Sequence, residues 1–269
     1  MGSDKSSLFG KARRLWGGNV PIVGQSTTPH GTIGILSGES GRFTRFWLSQ
    51  VGLQPPGPVK LITKFSVNIA EARNEVIAEA EGEWLWFIDD DHTFDPGLLQ
   101  RLVARNVDVV QPVVLARYAP FGPVIMGPAT PDGKKHWRLA LQPSDLPGLK
   151  EVYVVGAAGM LIRRKVWEAI PRPWFTAGDL NPEVVGEDVG FCRRVREAGF
   201  RVYCDLANPM GHLNVGEVWP VWNAKEGVWE TELRFGQASL RMPAAAPNYY
   251  LDASGKVFHA DGRPFEGEP

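Results

Sequence analysis

The hydrophobic residues of the chain form short continuous blocks. Between these blocks, apolar residues recur at every third or fourth position. The densest block is residues 84–88, five large apolar side chains in a row. It is too short for a typical helix and predicts a strand buried on both faces. Shorter apolar blocks at 20–24, 59–63 and 107–113 predict three further strands.

Segments with apolar residues at every third or fourth position lie between these blocks and predict helices. Residues 39–51 form the first, with Phe43, Trp47 and Val51 facing the sheet. Asn68-Ile69-Ala70-Glu71 has the form of a capping box and predicts the start of the second. Asp95-Pro96 predicts the start of the third.

Strand and helix thus alternate four times, which is typical of an α/β domain with a mostly parallel, doubly wound central sheet. Residues 117–150 then contain prolines, glycines and charged residues with no repeating hydrophobic pattern. They predict an irregular segment that crosses the active face of the sheet. Gly186-Glu187-Asp188 opens a later helix, and residues 211–214 read as a loop. Further strands are predicted at 151–155, 200–204, 218–222 and 229–235. We expect one domain over residues 18–241, between a basic tail at 1–17 and a tail at 242–269.

Composition and charge narrow the class of protein. The 269 residues are 43% hydrophobic and 22% charged, which is ordinary for a globular enzyme. A net charge of −1 gives no electrostatic reason to expect a nucleic-acid partner. Two cysteines and no CxxC argue against a disulfide scaffold or a cysteine-built zinc site, so we expect a cytoplasmic protein.

No membrane-spanning segment is expected, because no apolar run approaches the ~20 residues that cross a bilayer. The first six residues fit a loose N-myristoylation pattern, and basic and apolar residues follow them. Weak peripheral contact with an anionic membrane is therefore an alternative to a solvated tail.

Three carboxylates, Asp89-Asp90-Asp91, end the buried block. Buried carboxylates are costly without a partner, and ligands of open α/β sheets bind at the carboxyl ends of the strands. The triplet therefore predicts a bound cation. A solvated turn with a helix N-cap is the alternative, although Asp95 alone can cap the helix.

Four landmarks in chain order resemble the GT-A class of nucleotide-sugar glycosyltransferases, near glycosyltransferase family 2. Asp89-Asp90-Asp91 resembles the Asp-X-Asp motif, and Gly156-Ala157-Ala158-Gly159 resembles the glycine loop. Glu187-Asp188 resembles the acidic pair that opens a helix, and His212 the carboxyl-terminal metal-binding histidine. Ala72-Arg73-Asn74 also matches a segment that these enzymes place beside the diphosphate. The resemblance covers roughly residues 19–215.

The resemblance implies a residue for each role. Asp91 and His212 would bind Mn²⁺ or Mg²⁺. Asp188 would be the base that deprotonates the acceptor, kept ionised by helix amides, with Glu187 orienting the acceptor or supporting a loop. The nucleotide and donor would be bound by Ser26, Thr27, Arg73, Asp89, Asp90, Gly156 and Gly159.

Each assignment has a structural alternative. His212 can be a core or turn histidine, Arg73 an exposed helix charge and Asp188 a helix N-cap. The glycine loop can be a tight turn, and His92 is expected to play a supporting or structural part. Lys64 and Arg117 are expected to be solvated.

The predicted activity is metal-dependent transfer of a sugar from a nucleoside diphosphate, UDP by preference, to an acceptor hydroxyl with inversion. Residues 18–115 would form the nucleotide-binding half and 116–241 the acceptor side. Thr63-Lys64-Phe65 replaces the acidic residue that often reads the base, so base identity stays open, as does the acceptor (glycan, protein or small molecule). Alternatives are a retaining transferase, a nucleotidyltransferase and an inert carbohydrate-binding protein. Gln25-Ser26-Thr27-Thr28 is not a nucleotidyltransferase's glycine-rich loop.

Overall fold

The computed structural model describes residues 29–37, 44–66, 68–117, 121–131, 136–145, 148–176, 186–213, 217–235, 238–243, 249–251, 257–259 and 263. The predicted basic tail, the predicted strand at 20–24 and the donor-loop residues Ser26 and Thr27 lie outside these ranges. None of the described helices is long and apolar enough to cross a bilayer.

Strands and helices alternate in the amino-terminal half, as predicted. It contains β1 (Gly31–Ser37), α1 (Thr44–Gly52), β2 (Val59–Phe65), α2 (Ile69–Glu79), β3 (Trp84–Asp89), β4 (His92–Thr93), α3 (Leu98–Ala104) and β5 (Val109–Val113). The remainder contains β6 (Ile125–Ala129), β7 (His136–Arg138), β8 (Leu149–Val152), β9 (Val154–Val155), β10 (Leu161–Arg163), α4 (Arg164–Ala169), α5 (Glu187–Glu197), β11 (Val202–Pro209), β12 (Gly211–Leu213), β13 (Glu217–Asn223), β14 (Val228–Phe235), β15 (Ala238–Pro243), β16 (Tyr249–Leu251) and β17 (Val257–His259).

Seven strands form the central sheet, in the order β2-β1-β3-β10-β5-β11-β8. The pairs β1–β2, β1–β3 and β5–β11 are parallel, whereas β10 and β8 run antiparallel to their neighbours. The carboxyl ends of β1, β2 and β3 therefore meet at one edge of the sheet. The predicted mixed α/β fold with a mostly parallel sheet is confirmed.

The core has two layers, one on each face of the sheet. Leu85 and Phe87 of β3 pack in the layer that also contains Val76 of α2 and Phe191 of α5. Trp86 of β3 packs on the other face with residues of α1 and α3. The five apolar residues of β3 are at most 2% exposed, so the prediction of a strand buried on both faces is correct.

Two predictions near the amino terminus need correction. The sequence pattern predicts a polar loop up to Gly31, but strand β1 begins at this residue, and Gly31 and Gly34 interrupt its apolar residues. These glycines make room for neighbours: a β-carbon at Gly34 would lie 2.5 Å from Val76 Cγ1. In the predicted buried stripe of α1, Phe43 lies outside the described residues, and the rest is wrong, since Phe46 is buried while Trp47 is 51% and Val51 85% exposed.

Capping of α2 follows the predicted pattern at its first step. Asn68 is the N-cap, and its Oδ1 accepts a hydrogen bond from the Glu71 amide at 3.3 Å. Ala72 and Val76 of the predicted stripe are buried, whereas Ile69 is 39% exposed. Ile69 instead lies at the candidate site.

The second half departs more from the predicted pattern. The predicted irregular segment holds β6 and β7, which form a small sheet with β9. The predicted strand at 151–155 divides at Tyr153, so that β8 joins the central sheet and β9 the small one. Residues 211–213 form strand β12 rather than a loop, and β12 pairs with β4 and β13 in a second sheet of order β15-β14-β13-β12-β4.

The carboxyl-terminal segment contains more pairing than a tail is expected to have. β15 crosses the predicted boundary between residues 241 and 242, and β16 pairs with β17. The limits of the domain and of its two halves stay predictions.

Candidate active site

Two adjoining cavities lie where β3 ends. The first has a volume of about 270 Å³ and contains residues of all four predicted motifs. Its polar lining includes Arg73, Asp89, Asp91, His92, Gln111, Arg117, Glu187, Asp188 and His212. The second, of about 440 Å³, lies at the ends of β1 and β2 and shares Ile69, Asp89, Asp91 and Arg117 with the first. The fold thus gathers residues that are more than 100 positions apart in the chain.

Asp91 is at the centre of a cluster with two histidines. Ligand atoms of Asp91, His92 and His212 all lie within 4.8 Å of one another. His92 and His212 are directly opposite each other on β4 and β12, and their rings stack with centroids 4.3 Å apart. The pairing of two short strands that the sequence did not reveal therefore places both imidazoles beside the last aspartate of the triplet.

The hydrogen bonds of His212 orient its second nitrogen towards Asp91. Nδ1 lies 2.9 Å from the carbonyl oxygen of Leu115, which can only accept, so Nδ1 carries a proton. Nε2 lies 3.3 Å from Asp91 Oδ2, which is also an acceptor. With the proton on Nδ1, the lone pair of Nε2 faces the carboxylate, an arrangement that suits a bound cation. Orientation of a histidine through a backbone carbonyl is common at metal centres.

His92 is more deeply involved than the supporting part that the sequence predicts. Its ring is 2% exposed, and Nδ1 lies 2.7 Å from Asp91 Oδ1. Neither ring nitrogen nor Asp91 Oδ1 makes a hydrogen bond of ordinary geometry to any described residue. Buried polar atoms are rarely left in this condition unless a ligand or water completes them.

These residues fit a divalent cation. One carboxylate and two imidazoles supply oxygen and nitrogen donors, and three of their buried atoms make no hydrogen bond of ordinary geometry to a described residue. Although burial of Asp91 disfavours its charge, bonds to His212 and His92 hold the pKa of the carboxyl well below its usual range. Asp91 is therefore ionised at any pH at which the protein would work, as a metal ligand must be.

The sequence predicts a solvated side chain at Arg117, but the structure pairs this arginine with Asp91. Its Nη1 lies 2.8 Å from Asp91 Oδ2, and the side chain is 39% exposed. Lys64 is also paired, with Nζ 2.6 Å from Glu79 and 3.1 Å from Glu75 on α2.

Arg73 forms ion pairs with the aspartate triplet and with the Glu187-Asp188 pair, through Asp89 and Glu187. It is 2% exposed, with Nη2 3.2 Å from both oxygens of Asp89 and Nε 3.4 Å from Glu187. The guanidinium also lies near the rings of Phe87 and Phe175, at 5.4 and 5.7 Å from their centroids. Arg73 is thus not an exposed helix charge: two carboxylates hold it, while its buried Nη1 has no hydrogen-bond partner among the described residues. It also lines the first cavity, so its contact with the donor phosphates stays a prediction.

Asp188 is a half-buried carboxylate that lines the first cavity. The N-cap of α5 is Gly186, so Asp188 lies within the first turn instead of capping the helix. Burial raises the pKa of Asp188 to about 6, and the charge of Glu187 adds to the rise. The amide of Val189 donates to Asp188 Oδ1 at 2.7 Å, but this bond does not outweigh burial. The expected dominance of the helix amides is therefore wrong, although the group is still mostly ionised at pH 7.

The glycine loop divides into two parts. Gly156 lines the first cavity, and a β-carbon there would lie 3.9 Å from Asp188 Oδ2. Gly159 does not line it: this residue has φ of +77°, and its carbonyl accepts a hydrogen bond from Trp86 Nε1 at 2.9 Å. Gly159 therefore has the turn role named as the alternative.

Gln111 is a lining residue that the sequence analysis did not identify. It lies on β5, is 1% exposed, and donates from Nε2 to the carbonyl of Ala158 at 2.8 Å. Oε1 has no hydrogen-bond partner among the described side chains and backbone. A glutamine inside an apolar strand is the one signal that pointed to it.

The second cavity contains the remaining aspartate of the triplet. Asp90 is 9% exposed and accepts a hydrogen bond from the Ser37 hydroxyl, at the end of β1. Lys64 and Ser66 line the same cavity from the end of β2. Each of the three aspartates therefore has a different partner: Arg73, Ser37 or the histidine pair.

Comparison with known proteins identifies one family. The model of glycosyl transferase family 2 matches residues 45–168, somewhat less than half of the chain. The match includes the aspartate triplet and the glycine loop but ends before Glu187 and His212. No curated protein matches the chain.

Solved structures show weaker likenesses. A197 from STIV is similar over 70% of this chain and 88% of its own, at 18% identity and a TM-score of 0.45. GalNAc-T7, whose crystal contains UDP, GalNAc and Mn²⁺, is similar over 68% of this chain and 44% of its own, at 12% identity and 0.44. For S. aureus TarS 1-349 the shares are 64% and 57%, at 12% identity and 0.38. This chain spans less than two thirds of the last two, and scores below 0.5 establish no residue role.

The family match and the chain's own sheet topology agree. The aspartate triplet and the glycine loop, both inside the matched region, lie at the carboxyl edge of a mixed, mostly parallel sheet. The chain is similar to glycosyl transferase family 2 over residues 45–168, and its fold is the mixed α/β fold described above.

Proposed function

We propose that the protein transfers a sugar from a nucleoside diphosphate, UDP by preference, to an acceptor hydroxyl, in a reaction that requires Mn²⁺ or Mg²⁺. One observation carries the proposal. The donor set of Asp91, His92 and His212 and the half-buried carboxylate of Asp188 line one cavity, which adjoins a second at the ends of β1 and β2. Ligands of open α/β sheets bind at this edge.

The second cavity is the proposed site of the nucleoside. Its volume of about 440 Å³ lies in the range of ligand pockets. Asp89, whose carboxylate Arg73 fixes, would accept hydrogen bonds from the ribose hydroxyls. Asp90, held by Ser37, would support the same wall. The identity of the base stays open, because Lys64 lies where many family 2 members have an acidic residue that contacts the base.

Asp91, His92 and His212 would hold the cation. Two imidazoles beside one carboxylate favour Mn²⁺ over Mg²⁺, which prefers oxygen ligands. A cation bound there neutralises the charge that develops on the departing diphosphate. Asp91 and its two histidines would hold the cation at the boundary of the two cavities, which both include Asp91.

Asp188 would accept the proton of the acceptor. The acceptor oxygen forms a bond to the anomeric carbon, the bond from that carbon to the β-phosphate oxygen breaks, and the hydroxyl proton passes to Asp188. A carboxylate with a pKa of about 6 is ionised at pH 7 and is a stronger base than an ordinary aspartate. Direct displacement of this kind inverts the anomeric configuration.

Product stereochemistry and one variant pair test this role. We expect proton NMR of the product to show the inverted anomer, whereas a retained anomer would limit Asp188 to positioning the acceptor. Asp188→Ala should lower the transfer rate by about a hundredfold or more, in line with loss of a general base. Glu197→Ala, an exposed acid at the other end of α5, is the matched control. Transfer by Asp188→Ala at a near wild-type rate would refute the base assignment.

Location and further partners stay predictions. Both cysteines, Cys192 and Cys204, are buried and unpaired, which fits the predicted cytoplasmic location. The acceptor is proposed only as a hydroxyl compound that enters beside Gly156 and Asp188.

A further inference from the structure

Arg117 lies at the boundary of the two cavities and has no role in the transfer step proposed above. It is the only described basic residue that lines both cavities. Its Nη1 is 2.8 Å from Asp91 Oδ2, the same oxygen that His212 Nε2 approaches to 3.3 Å. The guanidinium thus binds a proposed metal ligand at the boundary between the cavities.

The surroundings of Arg117 differ from those of the other arginine at the site. Arg73 is 2% exposed, is held by two carboxylates and lies near the rings of Phe87 and Phe175. Arg117 has a side chain that is 39% exposed at the mouth of the site. A partly exposed side chain changes rotamer more readily than one that is 2% exposed, so Arg117 can leave Asp91 more easily than Arg73 can leave its two carboxylates.

A divalent cation and the Arg117 guanidinium would compete for Asp91. Both are positively charged, and two positive charges within a few ångströms of one oxygen repel each other strongly in a partly buried site. A cation at Asp91 therefore displaces the guanidinium. The phosphate oxygens of a donor diphosphate would lie beside the same boundary and are the partners that a planar guanidinium binds best.

We propose that Arg117 exchanges partners, from Asp91 to the diphosphate, as the cation and the donor bind. The inference rests on the proposed function, since it needs both a cation and a diphosphate at this site. Arg117 then has two effects of opposite sign. It weakens binding of the cation alone, and it strengthens binding of the nucleoside diphosphate once the cation is present.

Opposite signs make the inference testable with the full chain. The variant is Arg117→Gln, which keeps much of the side chain and removes its charge. Mn²⁺ binding is measured first, without nucleotide, from the electron paramagnetic resonance signal of free Mn²⁺. UDP binding is measured next, by isothermal titration calorimetry at saturating Mn²⁺. Arg101→Gln is the matched control, because Arg101 forms a surface pair with Asp95 at the same distance of 2.8 Å outside both cavities.

We expect Arg117→Gln to bind Mn²⁺ about three- to fivefold more tightly, as loss of a partly exposed competing ion pair predicts. We expect it to bind UDP roughly tenfold or more weakly, since a charged hydrogen bond to phosphate is lost. Arg117→Lys keeps the positive charge but lacks the planar guanidinium, and it should leave Mn²⁺ affinity near the wild-type value. This variant shows whether a change in Arg117→Gln comes from the lost charge or from a folding defect. Weaker or unchanged Mn²⁺ binding by a folded Arg117→Gln would overturn the inference.

The wild-type chain separates this inference from the proposed function. If wild type binds neither Mn²⁺ nor any nucleoside diphosphate, both the proposed function and the exchange of Arg117 are refuted. If wild type binds both ligands but Arg117→Gln lacks the opposite shifts, only the exchange is refuted.

Discussion

Asp188→Asn should make the protein more stable while it removes the proposed base. Burial raises the pKa of Asp188 from 3.8 to about 6, and the adjacent charge of Glu187 contributes. At about 1.36 kcal/mol per pKa unit, a rise of about two units corresponds to a cost of roughly 3 kcal/mol for keeping the ionised group folded. Asparagine has nearly the same shape and no charge, so this figure is an upper limit to the gain.

The pH dependence of the gain has a definite sign. A carboxyl whose pKa is higher in the folded protein than in the unfolded chain binds more protons when folded. Its contribution to stability is complete below pH 3.8 and is lost as the pH rises through about 6. The advantage of the Asp188→Asn variant over the wild type should therefore be full at about pH 7.5 and much smaller at about pH 4.5.

Thermal unfolding in the presence of a chelator measures this difference without substrate. The chelator matters because a cation in the same cavity would also stabilise the carboxylate. We expect Asp188→Asn to raise the midpoint by at most roughly 6–12 °C at about pH 7.5, and by much less at about pH 4.5. Glu197→Gln, which removes an exposed acid from the same helix, should show no such pH dependence. No gain at the higher pH, or an equal gain at both pH values, would refute the reasoning.

Two further predictions concern the buried charges. Arg73→Met should lower the free energy of unfolding in urea by about 3 kcal/mol, because Asp89 and Glu187 lose their shared cation; the exposed Lys225→Met is the control, and an unchanged midpoint for Arg73→Met would contradict the assignment. At saturating Mn²⁺, kcat/KM for transfer should fall about tenfold per pH unit below the pKa of Asp188, which a cation in the same cavity lowers from about 6. A profile that stays flat down to about pH 4 would argue against Asp188 as the base.

Strong local patterns predicted much of the fold. The apolar run of β3 was recognisable because every one of its side chains enters the core, and Asn68 revealed the start of α2 through its capping bond. The β1 segment was missed because Gly34, which reads as a turn residue, is required there by close packing of Val76. The predicted buried face of α1 is wrong because Phe46, one position before the predicted Trp47, is the residue that packs in the core.

The site was predictable in its motifs but not in its contacts. The resemblance to GT-A enzymes assigns Asp91 and His212 to one metal site, and the structure places His212 Nε2 3.3 Å from Asp91 Oδ2. The proximity of His92 depends on pairing between β4 and β12, two strands of two and three residues that carry no periodic signal. The partner of Arg117 is equally non-local, since a long side chain from an aperiodic segment reaches Asp91.

The central claim is that this edge of the sheet binds a nucleoside diphosphate through a cation. Thermal unfolding of the wild-type chain with UDP, GDP, CDP, dTDP and ADP, each with and without Mn²⁺, tests it most directly. A ligand at ~100 times its dissociation constant adds about 2.7 kcal/mol, or roughly 5–10 °C for a chain of this size. The account predicts that one nucleoside diphosphate, UDP first, raises the midpoint only with Mn²⁺, and that Asp91→Ala abolishes the rise while Asp95→Ala keeps it. No shift with any nucleotide, or a shift that Asp91→Ala leaves intact, would contradict it.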